Sequence, residues 1–85
     1  MKKGLSNRKE KPLIEFQTGA TVKIISIHSE PKTKAKLASL GLSIASEIKI
    51  VTNRRWMPLI IEICHSNFAL ERREASKIIG ISSGT

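Results

Sequence analysis

The sequence contains one cysteine, three aromatic residues, no tyrosine and no long apolar run. Each shortage closes off a class of protein. Cys64 has no partner cysteine in the chain, so an internal disulfide is excluded, which suits a reducing compartment. Phe16, Trp56 and Phe68 are too few to build an interface on aromatic stacking, which weakens any reading as a single-strand nucleic-acid binder. No apolar segment approaches the ~20 residues that a membrane-spanning helix needs. The N-terminus is basic, but no apolar h-region follows it as a secretory signal requires. A soluble, cytoplasmic chain is expected.

The groupings that support catalysis are missing too. Cys64 and His65 are adjacent, and adjacent residues on a strand point to opposite faces, so they do not share a metal there. No His-x-x-x-His pair accompanies His28, and a Cys-His nucleophile pair fails on the same geometry. Glu47 and Glu62 are expected outward on strands. Glu71 and Glu74 stand beside Arg72 and Arg73 and read as local charge pairs. Gly19, Gly41 and Gly80 match no phosphate-loop spacing. The expectation is a non-enzyme with no cofactor and no metal site. A metal-sensing accessory role would rest on Cys64 and the histidines alone.

What is present is isoleucine and positive charge. Thirteen of the 85 residues are Ile, whose β-branch fits a pleated strand better than a helix. The net charge is +8, and half of it falls in residues 1–12, where Lys2, Lys3, Arg8, Lys9 and Lys11 outnumber Glu10. That segment has few apolar residues and is expected to be a disordered basic tail. It could follow an anionic membrane surface or nucleic acid, or merely add solubility. Residues 13–81 are expected to fold as one small domain, with 82–85 frayed.

Along the folded part, Ala20–His28 reads as a first strand. Val22 and Ile24 share one face while Ile25 and Ile27 fall on the other, so a bulge or sharp bend is expected there. Residues 29–42 read as a helix with its stop: Pro31 suits the first turn, Gly41 the left-handed position, and Leu42 folds back on Leu37. Ser46–Asn53 is a strand with Ile48 and Ile50 inward. Pro58 opens a further strand with Leu59, Ile61 and Ile63 inward and Glu62 outward. Ser66-Asn67 reads as a tight turn into Phe68–Leu70, closing a hairpin. Glu71–Lys77 is a helical turn or two, and Ile79–Ile81 a last strand. The sum is a mainly β fold of about five short strands curled into a partly open barrel.

One loop stands out. Arg54-Arg55-Trp56-Met57 sets two guanidiniums beside an indole and a thioether, residue types that anchor interfaces. Alternatively, Trp56 caps an open end of the barrel. Lys32, Lys34 and Lys36 spread around the helix and read as a solvated face.

Three segments in order resemble the FeoA family. They are Lys36-Leu37-Ala38-Ser39-Leu40-Gly41-Leu42 with Glu47-Ile48-Lys49-Ile50, then Pro58-Leu59-Ile60-Ile61-Glu62-Ile63, then Leu70-Glu71-Arg72-Arg73-Glu74-Ala75-Ser76-Lys77-Ile78. The resemblance implies an SH3-like barrel and a cytosolic adaptor or regulator of ferrous iron uptake. The implied partner is the FeoB-type GTPase transporter, reached at the inner face of the plasma membrane. The alternative is a nucleic-acid-binding barrel using the basic surface. Unpaired strand edges make a homo-oligomer a further expectation. Two positions depart from the family pattern. Ile44-Ala45 stands where Pro-Gly is usual, and Ala45 would be strained at positive φ, so that turn is expected to differ. The Asn53–Met57 loop is bulkier and more basic than usual, which implies a different partner surface.

Overall fold

The computed structural model describes residues 9–83, and the isoleucine-rich stretches in it form one six-stranded antiparallel sheet. The strands are β1 (Lys11–Pro12), β2 (Thr21–Ile27), β3 (Glu47–Thr52), β4 (Leu59–Ile63), β5 (Ser66–Leu70) and β6 (Ile78–Ser82). Helix α1 (Pro31–Ser39) lies in the crossover from β2 to β3, and the short α2 (Arg72–Ala75) precedes β6. The spatial order is β1-β6-β2-β3-β4-β5, so the sheet is unclosed and β1 and β5 are its edges. This is the expected mainly β architecture with one strand more. Lys11 and Pro12 fall in the segment that composition assigns to the tail, yet they pair with Gly80 and Ile79. At the other end Ser82 belongs to β6, and the Ser83 N–H donates to Thr21 O at 2.8 Å. Residues 1–8, most of the expected basic tail, lie outside the described residues.

Curvature comes from two bulges. In β2 the register with β6 slips between Ile24 and Ser26, leaving Ile25 as the extra residue. The inward set therefore runs Val22, Ile24, Ile27, as the parity of the sequence anticipates. A second slip, between Ile50 and Thr52 against β4, bends β3 at Val51. The curled sheet places Ile48, Ile50, Leu59, Ile61, Ile63 and Ile78 around one core. Leu70 of β5 joins them, and Leu13, Phe16, Leu37, Leu42 and Ala75 fill the core from the connecting segments. Each such aliphatic side chain contributes about 1.5–3 kcal/mol on burial.

Helix α1 buries only Leu37 of its nine residues, so its docking depends heavily on how it ends. The end is a complete Schellman stop. The Leu42 N–H donates to Leu37 O at 2.9 Å and the Gly41 N–H to Ala38 O at 2.9 Å, with Gly41 at φ 99°. Both Leu37 and Leu42 enter the core. Ser46 continues the connection: its hydroxyl donates to Gly41 O at 2.9 Å and accepts from the Ser43 N–H at 3.0 Å.

The following turn corrects one expectation. Ser46 N–H donates to Ser43 O at 3.0 Å, closing a turn whose third residue, Ala45, sits at φ 77°. The geometry that suits glycine is kept with alanine in the position. Strand β2 holds it there: the Ala45 N–H donates to Ile24 O, and the Ile24 N–H to Ser46 O, each at 2.8 Å. The other hairpin is corrected as well. Its two-residue turn is Cys64-His65, at φ 51° and 69°, while Ser66 and Asn67 already belong to β5. Both angles are those of the type I′ turn that matches the twist of paired strands.

Two stability changes follow. Ala45→Gly relieves the positive φ and is expected to raise unfolding free energy by about 0.5–1 kcal/mol. Gly41→Ala, whose Cβ would meet Ile63 Cγ2 at 3.1 Å, is expected to lower it by about 1 kcal/mol or more. Urea unfolding midpoints measure both, and a destabilised Ala45→Gly would contradict the strain reading.

Candidate functional site

The strand β3 ends at Thr52, and the next residue organises everything around it. The Asn53 N–H donates to Thr18 Oγ1 at 3.0 Å. Its side-chain Nδ2 donates to Ile14 O at 2.9 Å and Phe16 O at 2.6 Å, tying the end of β3 to the segment before β2. Its Oδ1 accepts from Arg72 Nη1 at 2.9 Å. One amide thus spends both donors on the segment before β2 and its acceptor on α2.

Arg72 passes the connection to the loop. The same Nη1 lies 3.0 Å from Arg54 O and 3.3 Å from Met57 O. Its two hydrogens are shared among three acceptors, and the longest contact is the weakest. The Met57 N–H donates to Arg54 O at 3.2 Å, so Arg54–Met57 is a β-turn pinned from beneath by a guanidinium. Hydrogen bonds to a charged donor are among the stronger ones.

This turn holds Trp56 at φ 68°, an outlying backbone conformation for a bulky side chain. The indole is 89% exposed, Met57 is 53% exposed, and Arg54 and Arg55 point into solvent. Trp56 therefore does not cap the core. All four sequence-selected residues, Arg54, Arg55, Trp56 and Met57, come together on one exposed turn.

Sequence reasoning missed Asn53, Thr18 and Arg72. It placed Arg72 in a local charge pair with Glu71 and Glu74, whereas its guanidinium reaches back to the β3–β4 loop. The ion pair seen among the described residues is Lys77 with Glu74 at 3.9 Å, and Glu74 also accepts from the Ser29 hydroxyl at 3.3 Å. The basic position in the third family-like segment, two residues after Leu70, was the available signal.

The metal candidates are arranged differently. Cys64 and His65 form the exposed tip of the β4–β5 hairpin, so they are turn residues and not the oppositely facing strand residues that the sequence leads one to expect. His28 Nε2 is 3.0 Å from Ser26 Oγ. Among the described residues, no three His, Cys, Asp or Glu side chains stand close enough to hold a metal ion. Lys32, Lys34 and Lys36 are all exposed around α1.

Trp56 is the only tryptophan, so its fluorescence reports on this turn alone. Arg72→Ala is expected to cost about 1–2 kcal/mol of stability and to lower the steady-state anisotropy of Trp56 in the folded protein. An unchanged anisotropy would show that the guanidinium does not hold the turn.

Solved structures with this fold were found by comparison. A crystal structure of the iron uptake regulatory protein FeoA superposes with a TM-score of 0.82 at 23% identity, covering 88% of this chain and all of that one. A FeoA-like protein from Clostridium acetobutylicum gives 0.75 at 24% identity, covering 91% of both chains. A manganese-dependent transcriptional repressor gives 0.78 at 21% identity over 87% of this chain, but only 42% of the repressor. These likenesses identify the SH3-like fold, which occurs both as a small separate chain and as part of a larger regulator. No curated protein matches the sequence. Residues 11–81 match the FeoA domain, and the chain belongs to that family.

Proposed function

We propose that this protein serves ferrous iron uptake as a non-catalytic cytoplasmic adaptor, binding a FeoB-type GTPase transporter through the Arg54–Met57 turn. Family membership supports the iron-transport setting. The observation that carries the choice of surface is Trp56, exposed at positive φ on a turn pinned by Arg72. Backbone strain of this kind costs about 1–3 kcal/mol and is retained where the surrounding structure enforces it. The solvated indole returns little of that cost to the fold. Its value lies in presenting a large side chain from a turn whose backbone is already ordered before a partner arrives. Arg54 and Arg55 beside it favour an acidic face on that partner and speed the encounter. The cations of residues 1–12 add attraction to an anionic leaflet, keeping the adaptor at the inner face of the membrane where the transporter lies.

The test is binding of the transporter's soluble GTPase domain, measured by calorimetry, to the wild type and to Arg54→Ala/Arg55→Ala/Trp56→Ala. The triple variant is expected to bind at least about 30-fold more weakly, since a central Trp or Arg commonly contributes 2 kcal/mol or more. All three side chains are solvent-facing, so the fold is expected to survive. Unchanged affinity would place the interface elsewhere on the molecule.

A further inference from the structure

The two edges of the sheet are built differently. Strand β1 is two residues long, and one of them is Pro12, which has no N–H to offer; Lys9 and Lys11 add charge. Such an edge resists pairing. Strand β5, Ser66–Leu70, has none of these defences: it is five residues long, unbulged against β4, and free of proline and charge. Edges of that kind are templates for another strand.

The hairpin turn fixes which groups of β5 are available. A type I′ turn at Cys64-His65 makes Ile63 and Ser66 a hydrogen-bonded pair, and alternation then gives Ile61–Phe68 and Leu59–Leu70 the same character. Asn67 and Ala69 therefore direct their N–H and C=O groups away from β4. Neither makes a backbone hydrogen bond outside the sheet among the described residues, and both are exposed. Phe68, between them, is half-buried at the margin of the core.

We infer that β5 is a homodimerisation edge, pairing antiparallel with β5 of a second copy about a two-fold axis at Phe68. The sequence is self-complementary about that axis. Asn67 faces Ala69 of the second copy, and each such pair can exchange both of its N–H···O=C bonds. Phe68 faces Phe68 at the close spacing of a non-hydrogen-bonded pair, extending the core across the junction. One step further out Ser66 faces Leu70, where the strand ends on both sides, so the paired residues bring no charges together. Beyond Ala69 the edge opens into a cleft against Leu37 and Leu40 of α1, which receives the narrow hairpin tip of the second copy. The occupant is therefore another copy of this chain.

Sedimentation equilibrium of the full chain tests this, from about 10 µM to about 1 mM. Salt of about 0.15 M screens the repulsion between two cationic chains beyond about 8 Å. Wild type is expected to show a reversible monomer–dimer equilibrium. Ala69→Pro removes only an outward N–H, and Asn67→Lys places a charge on the free edge. Each is expected to raise the dimer dissociation constant about tenfold or more while circular dichroism stays that of the wild type. If Ala69→Pro fails to fold, Asn67→Lys decides alone. A wild type that remains monomeric throughout the range, or an Asn67→Lys variant that dimerises as tightly as the wild type, would overturn the inference.

Discussion

Everything in this molecule depends on bending one short sheet far enough to enclose a core. Strands of five to seven residues cannot surround a hydrophobic centre unless they curl, and the bulges at Ile25 and Val51 supply the bend. The bend turns the inward isoleucines of β2, β3, β4 and β6 toward one another. It also brings the start of α2 beneath the β3–β4 loop, two places 19 residues apart in sequence for Asn53 and Arg72. Without that approach the guanidinium of Arg72 would have no loop to hold.

Asn53 and Arg72 then act across the side that the sheet leaves open. The amide of Asn53 ties Ile14 and Phe16 to the end of β3, and Arg72 joins that point to the carbonyls of Arg54 and Met57. Core packing sets the position of the turn, and the hydrogen-bond network sets its shape. Trp56 projects from this fixed base into solvent.

Much of the architecture was legible in the sequence. The alternation of Leu59, Ile61 and Ile63, the parity switch across Ile24 and Ile25, and the Leu37-Gly41-Leu42 stop are local signals, and each appears in the structure as read. The two misread turns share one physical cause. Ala45, Trp56, Cys64 and His65 all adopt positive φ without being glycine, and turn rules look for Gly or Asn at such positions. The hairpin turn was therefore displaced by two residues, and the turn at Ala45 was expected to change when it did not. Arg72 was misplaced for another reason: its partners are distant in sequence, while Glu71 and Glu74 are adjacent and look sufficient. The exposed Arg54–Met57 residues were recognisable by type, but the strain and the clamp that give them a shape were not.

The central claim is that Trp56 is held ready to be buried by a partner. Labelling the chain with 5-fluorotryptophan places one fluorine reporter on this residue, since the sequence has a single Trp. Fluorine NMR can then be followed while the unlabelled GTPase domain of a FeoB-type transporter is added. The account predicts that the single resonance shifts and broadens in step with complex formation. A complex that forms while the Trp56 resonance keeps its free position and width would contradict it.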